Sequence, residues 1–202
     1  KAIRAGIKAV QPGRTDGSIV TAVAGALIEA ESEYIATWPS IRTGAQSGRS
    51  HASWQNVRIE TAQATTIETA GVVQRYHTPL YRAIIYGPTD EQRRICKTVR
   101  LANHAAIDAI VPGVQAKTVY EAARKVADES GFGSIFCGRT GYTTGIGISP
   151  SWVQRMSINL VPGNETVLES GMVFHVCTVL QQPNVFGVGE SSTVVITEDG
   201  VE

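Results

Sequence analysis

Apolar residues recur at helical spacing near the start of the chain. Residues 1–10 read as the end of a helix that Pro12-Gly13 stops, and Thr15 or Asp16 can cap a second helix. The apolar face of the second helix comprises Ile19, Val23, Ala26, Leu27 and Ala30. This pattern predicts a pair of amphipathic helices that pack on a common core.

The sequence pattern of this helix pair repeats 100 positions later, without a gap. Residues 2–13 and 102–113 both read A-x-x-A-x-I-x-A-[VI]-x-P-G, and a second amphipathic run follows each copy. Solenoid repeats have much shorter periods, of about 20–50 residues. We therefore predict one domain built from two pseudo-symmetric halves, with its functional site in the strands where the halves meet.

Between and after the helix pairs, β-branched residues, glycines and prolines predict strands and turns. Pro79 interrupts one β-rich stretch, which predicts a bend between two strands. This order of elements favours an α+β domain in which two helix pairs pack on one curved antiparallel sheet. The predicted elements are a strand at 38–42, a Gly/Ser-rich loop at 44–56, two strands within 65–87, helices at 90–110 and 118–130, and strands and turns from residue 131.

Composition and charge narrow the class of protein. The 202 residues fit a single domain, and 18 basic residues balance 18 acidic ones, so no basic field would recruit nucleic acid or a membrane surface. The longest apolar stretches fall short of the 18 or so residues needed to cross a bilayer. Three unpatterned cysteines favour reduced thiols and a cytoplasmic location. The chain opens inside a helix and both of its ends look cut, so we expect the whole protein to be longer, especially at the N-terminus.

Four histidines are available for chemistry. His104 falls in a predicted helix and is expected to be structural. His51 lies in the Gly/Ser-rich loop, a usual place for a substrate contact. His77 and His175 lie in predicted strands, where each is either a hydrogen-bonded core residue or part of a site.

Two glutamates stand out because they interrupt β-rich runs. Glu68 and Glu190 would be costly to bury unless they were paired, ligated or protonated. If the two carboxyl groups met, the pKa of one would rise, which is how a carboxylate becomes a catalytic acid or base. Arg139 could bind a substrate carboxylate. The sequence contains no complete phosphate-binding loop, no serine nucleophile elbow and no zinc-ligand spacing.

The duplicated halves, together with several short motifs, resemble the pita-bread superfamily of methionine aminopeptidase, aminopeptidase P, prolidase and creatinase. In its metallopeptidases, two Asp, one His and two Glu hold two metal ions. Most of these ligands are replaced here, which implies that the chain needs no metal or other cofactor. A single zinc ion held by Cys177, His77 and a glutamate is the alternative that stays open. The resemblance places Glu68 at the first Asp, Pro79 at the second, Thr144 at the His, Cys177 at one Glu, and Glu190 at the retained last Glu.

A metal-free branch of the superfamily, the ectoine hydrolases, is similar in four short stretches. These are residues 67–82, 139–145, 149–152 and 172–175. The resemblance implies metal-independent hydrolysis of a non-peptide C–N bond, with the cyclic amidine of ectoine as the lead substrate. Glu68 would be the nucleophile or general base, His77 the proton shuttle and Glu190 the partner of the amidinium. The residues expected to line or support the pocket are His51, Tyr142, His175 and Arg139.

Other functions stay open at this point. The same scaffold could act on another amidine or amide substrate, retain Xaa-Pro peptidase activity, or serve as a catalytically silent binding domain. The resemblance also implies a homodimer, a small-molecule substrate and a separate N-terminal domain beyond this chain. The balanced charge predicts no nucleic-acid or membrane partner.

Overall fold

The structure, a computed structural model, describes residues 1–154 and 157–202. Within those ranges the chain forms four α-helices, which are α1 (Ala2–Ala9), α2 (Asp16–Glu29), α3 (Asp90–Asp108) and α4 (Ala116–Glu129). The strands described there are β1 (Ser40–Thr43), β2 (Ala64–Val73), β3 (Tyr76–Ile85), β4 (Gly141–Ile148), β5 (Ser151–Val153), β6 (Asn159–Leu160), β7 (Val173–Gln182), β8 (Phe186–Thr197) and β9 (Gly200–Val201).

The strands form one antiparallel sheet in the order β1-β2-β3-β4-β7-β8-β9, with β5 and β6 paired to β4. Strand β3 also pairs with β8, where Arg82 lies opposite Glu190. Strands of the first half therefore meet strands of the second half at the centre of the sheet. The α+β architecture predicted from the sequence is confirmed.

The internal duplication is visible in the backbone. Helices α2 and α4 have equal lengths and begin 100 residues apart. The N–H of Gly13 donates to Ile59 O at 2.9 Å, and the N–H of Gly113 donates to Leu168 O at 2.8 Å. Both glycines have left-handed φ angles, +85° and +90°, which residues with a side chain rarely adopt. The Pro-Gly stop therefore recurs because each half needs the same turn.

The bend predicted at Pro79 is wrong. The chain reverses at Gln74-Arg75, whose φ angles of +50° and +68° form the turn between β2 and β3, while Pro79 lies inside β3. Beyond β2, strand β3 pairs with β4 only at Tyr76 and with β8 only at Arg82. Pro79 falls between these pairings, so its missing N–H costs no ladder hydrogen bond on that side.

The two faces of the sheet differ because neighbouring strand residues point in opposite directions. In β2, Ile67 is fully buried and belongs to the apolar core beneath α1 and α2, together with Ile19 and Val23. An equivalent core beneath α3 and α4 contains Phe174 and Leu160. The residue after Ile67 is Glu68, which points to the face that the helices leave uncovered. This helix-free face carries the polar residues.

The cysteines and the lengths of the helices bear on what composition predicts. The three cysteines are free thiols, as predicted. None of the described helices is long and apolar enough to span a membrane.

Candidate active site

A cavity of about 340 Å³ opens on the helix-free face of the sheet. Strands β1, β2, β3, β4 and β7 and the loop after β1 contribute its walls. The structure brings five of the seven predicted site residues together here: His51, Glu68, Arg139, Tyr142 and His175. His77 and Glu190 do not line this cavity.

A larger groove, of about 770 Å³, lies on the opposite face of β2 and β3, beside α1. Its lining combines apolar side chains with threonines and a few cations such as Arg4 and Arg82, and it includes no Asp, Glu, His or Cys. The groove therefore offers no carboxylate, imidazole or thiol. The smaller cavity is the candidate active site.

Glu68 is the central acidic group of the cavity. Its side chain is buried, and its Oε2 lies 3.6 Å from Nη2 of Arg42. Burial raises the pKa of Glu68 above its ordinary value, although the positive charges of Arg42 and Arg139 oppose the rise. A carboxyl group with a raised pKa beside a fixed cation is suited to nucleophilic or acid–base chemistry.

Arg42 is a site residue that sequence reasoning missed. Only 2% of it is exposed, and its Nη1 donates to the carbonyl oxygens of Arg49 and Ser50. Its guanidinium lies 5.1 Å from the ring centroid of Tyr81. An arginine in a short edge strand reads in the sequence as an ordinary exposed residue, so no local signal marked it.

His51 lies at the mouth of the cavity, in the segment that follows the short 3₁₀ turn at Gly44–Gly48. Its side chain is exposed. Partial burial, together with the charges of Arg42 and Arg139, lowers the pKa of His51 below its ordinary value. The imidazole is therefore mainly neutral near pH 7 and can accept a proton.

Tyr142 and His175 form a buried polar chain at the floor of the cavity. Trp152 Nε1 donates to the Tyr142 hydroxyl at 2.7 Å, and this hydroxyl lies 3.0 Å from His175 Nδ1. The other ring nitrogen, His175 Nε2, lies 2.7 Å from Ser191 Oγ. Burial, reinforced by nearby arginine charges, lowers the pKa of His175 to about 3, so the ring is neutral. The chain holds Tyr142 in one orientation.

Arg139 lies at the rim of the cavity with an exposed side chain. Its guanidinium stacks 4.5 Å from the ring centroid of Tyr142, and its Nη1 donates to Asn159 Oδ1 at 3.2 Å. These contacts orient the guanidinium while leaving other N–H groups able to meet an anion.

The structure places His77 away from this cavity. It lies on the same face of the sheet but four residues along β3 from Tyr81, which is roughly 13 Å at the usual rise of a strand. It is 2% exposed, with Nε2 3.3 Å from the Tyr34 hydroxyl and Nδ1 3.3 Å from Gly145 O. His77 therefore cannot exchange a proton directly with Glu68 in this arrangement. His104, as expected, lies outside the site, on the exposed side of α3.

Glu190, expected to be the partner of the amidinium, lies on the opposite face of the sheet from Glu68. Val188 packs in the core beneath α3, and Glu190, two residues further along β8, lies on the same face. It lines a small hollow there with Cys96 and Val99. The residue of β8 that reaches the helix-free face is Ser191, which also accepts a hydrogen bond from the backbone N–H of Tyr81 at 2.7 Å.

The donor set does not fit a dinuclear metal centre. Four of the five positions that the resemblance assigns to metal ligands hold Glu68, Pro79, Thr144 and Cys177. The fifth, Glu190, faces α3, and the neighbouring residue on the helix-free face is Ser191. Proline has no donor, hydroxyls are poor ligands, and burial raises the pKa of the Cys177 thiol, which opposes the thiolate that binds metals. Among the described residues, no group of three or more His, Cys, Asp or Glu is placed to hold a metal ion.

Comparison with known proteins places the chain in a family. Residues 1–198 match the model of "Metallopeptidase family M24", and the chain belongs to that family. It is 31% identical over 173 residues to an ectoine hydrolase of Halomonas elongata, a match that covers 84% of this chain and 42% of that protein. It is 29% identical over 203 residues to an Xaa-Pro dipeptidase of Pyrococcus furiosus, covering 100% of this chain and 57% of that protein. The chain spans about half the length of these curated relatives.

Solved structures give the same fold. The prolidase of Pyrococcus furiosus superposes with a TM-score of 0.91 at 27% identity, over 100% of this chain and 58% of that chain. The dipeptidase PepE of Mycobacterium ulcerans superposes with a TM-score of 0.90 at 25% identity, over 99% of this chain and 52% of that chain. These neighbours confirm the pita-bread fold, and the family is one of hydrolases that cleave C–N bonds.

Proposed function

We propose that this protein is a metal-independent hydrolase of a non-peptide C–N bond and that its substrate is a small cyclic amidine, with ectoine as the lead. The observation that carries the proposal is the buried pair of Glu68 and Arg42 in a cavity where the described residues place no three His, Cys, Asp or Glu side chains together to hold a metal ion. The similarity to an ectoine hydrolase supports the choice of substrate.

The reaction adds one water molecule across the ring. An oxygen atom attacks the amidine carbon, one ring C–N bond breaks, and the leaving nitrogen takes a proton to give an N-acetylated diaminobutyrate. Glu68 supplies the attacking carboxylate or removes a proton from the attacking water. Its burial makes it a stronger base than an exposed glutamate once it is ionised, because the charged form is less well solvated.

Proton delivery falls to His51 in this proposal, because His51 lines the cavity and His77 does not. A mainly neutral imidazole can take the proton that water releases, directly or through Glu68, and pass it to the leaving nitrogen. Tyr142, held by Trp152 and His175, offers a fixed hydroxyl to the substrate. Arg139 at the rim would hold the carboxylate of ectoine by charge-assisted hydrogen bonds.

A second candidate, hydrolysis of Xaa-Pro dipeptides, is favoured by the similar identity to Xaa-Pro dipeptidases across the whole chain. In the metallopeptidases that reaction depends on metal ions, so the two candidates differ in metal dependence. The donor set favours the amidine.

The two candidates separate in one experiment. Ectoine and an Xaa-Pro dipeptide are followed by proton NMR with the protein in EDTA and, separately, with added Mn²⁺ or Co²⁺. The proposal predicts ectoine ring opening at equal rates in both conditions. Dipeptide cleavage that requires the added metal, without ring opening, would replace the proposal by the second candidate. No turnover of either substrate would overturn the proposal and favour a binding domain.

A further inference from the structure

We infer that Arg42 is a positioning residue that fixes the segment carrying His51 to the wall carrying Glu68. The inference rests on the proposed function, because it gives His51 and Glu68 their catalytic roles. Arg42 itself would not react with the substrate.

The first observation is how β1 brackets His51. Arg42 Nη1 donates to the carbonyl oxygens of Arg49, at 2.6 Å, and of Ser50. On the other side of His51, the Ser40 hydroxyl donates to Ala52 O at 3.0 Å. Two residues of one short strand thus hold the backbone immediately before and immediately after His51.

The second observation is that the same strand is aligned with Glu68. Ser40 lies directly opposite Glu68 in the β1–β2 pairing, and Arg42 lies opposite Thr66. All four residues therefore share the helix-free face. Arg42 extends one nitrogen toward the His51 segment and another, Nη2, to within 3.6 Å of Glu68 Oε2. A single planar guanidinium therefore connects Glu68 with the backbone that immediately precedes His51.

The third observation is that Arg42 is only partly satisfied. Within the described part of the chain, its Nε and Nη2 are buried and make no hydrogen bond. Leaving buried donors of a charged group unpaired is unfavourable for stability. The Nη2 donor lies 3.6 Å from Glu68 Oε2, so its charge favours the ionised carboxylate that attacks or accepts a proton.

Arginine has the properties that this place requires. Its guanidinium stays charged when buried and can donate hydrogen bonds in two directions within one plane. The lysine ammonium is instead a single point charge. The groups that face it are Glu68, Tyr81, His51, Cys177 and Arg139. Glu68 is the only carboxylate in this group, so the orientation of the guanidinium is set by Glu68 on one side and by the two carbonyls on the other.

The test uses Arg42→Met, Arg42→Lys and the matched control Arg100→Met, which removes an exposed positive charge from α3. With ectoine as substrate, Arg42→Met should lower kcat by about 100-fold or more with little change in KM, because the catalytic groups lose their alignment. The acidic limb of its kcat/KM profile should move to higher pH, since Glu68 loses a positive neighbour that lowers its pKa. Arg42→Lys should keep the acidic limb in place but recover only part of kcat. Arg100→Met should match the wild type.

A second readout does not depend on turnover. The imidazole of His51 is titrated by NMR in the wild type and in both Arg42 variants. Removing the guanidinium should raise the pKa of His51, because its charge lowers that pKa in the wild type. Wild-type kcat, wild-type pH profile and an unchanged His51 titration in Arg42→Met would overturn the inference. If the wild type fails to open ectoine while the titration shifts as expected, the proposed function fails and the structural link stands.

Arg42→Met could also lose activity by failing to fold. Circular dichroism identifies that case, and the double variant Arg42→Lys/Glu68→Gln, compared with Arg42→Lys and with Glu68→Gln, then gives a further check. If Arg42 acts through Glu68, changing Arg42 should cost much less kcat once Glu68 is glutamine. Fully additive losses would contradict the inference.

Discussion

Replacing Glu68 by glutamine is the substitution with the sharpest expected result. Glutamine has nearly the same shape, but it can neither act as a nucleophile nor remove a proton. Loss of a positioned general base or nucleophile removes about 10²–10⁴-fold in rate. We therefore expect Glu68→Gln to lower kcat for ectoine by at least about 100-fold, with a small change in KM because the cavity keeps its shape.

Glu68→Gln should lower kcat but raise the stability of the fold. Burial raises the pKa of Glu68 in the folded state above its ordinary value of 4.5, so the folded protein binds this proton more tightly than the unfolded chain does. The resulting stability is fully present below pH 4.5 and is lost as the pH rises through the folded-state pKa. A displacement of the pKa by one unit corresponds to about 1.4 kcal/mol. Since glutamine does not titrate, the variant should gain stability relative to the wild type between acidic and neutral pH.

The assay combines kinetics with urea unfolding at several pH values, and Glu190→Gln is the matched control. Glu190 faces α3 and not the cavity, so this variant should keep turnover close to that of the wild type. Retention of more than a tenth of wild-type kcat in Glu68→Gln would refute the role of Glu68. An equal loss in Glu190→Gln would refute the assignment of Glu190 to the opposite face.

Three further substitutions test other parts of the site and fold. His51→Ala should lower kcat by about 100-fold or more, whereas His77→Ala should act mainly by lowering the melting temperature; the reverse order in steady-state kinetics would return the proton shuttle to His77. Arg139→Met should raise KM for ectoine by about tenfold but leave KM unchanged for the ring analogue that lacks the carboxylate; equal effects on both would exclude a carboxylate contact. Phe174→Ala should lower the free energy of unfolding by about 3–5 kcal/mol in urea titrations, because Phe174 is fully buried beneath α3 and α4. A loss under 1 kcal/mol would contradict that packing.

Much of the fold could be predicted from the sequence because the two halves share residues that their backbone conformation requires. Gly13 and Gly113 occupy left-handed positions, so both copies kept the residue that marks the helix stop. The strands were harder to divide. Pro79 signalled a bend by its chemistry, but its place between two strand pairings is a property of the tertiary structure that no local pattern carries.

The candidate site was predictable where a residue type was unusual for its surroundings. Glu68 in an apolar strand and His51 in a Gly/Ser-rich loop both reached the cavity. Glu190 was misplaced because a shift of one residue in a strand moves a side chain to the other face. Arg42 was missed because its importance comes from the carbonyl groups of Arg49 and Ser50, which the fold alone brings to it.

The central claim is that this M24 protein opens a cyclic amidine without a metal ion. The most direct measurement is the rate of ectoine ring opening by NMR, on protein whose metal content has been measured before and after treatment with EDTA. The account predicts turnover that is unchanged by metal removal and is lost in Glu68→Gln. Turnover that disappears with the metal and returns when Mn²⁺ or Co²⁺ is added would contradict it.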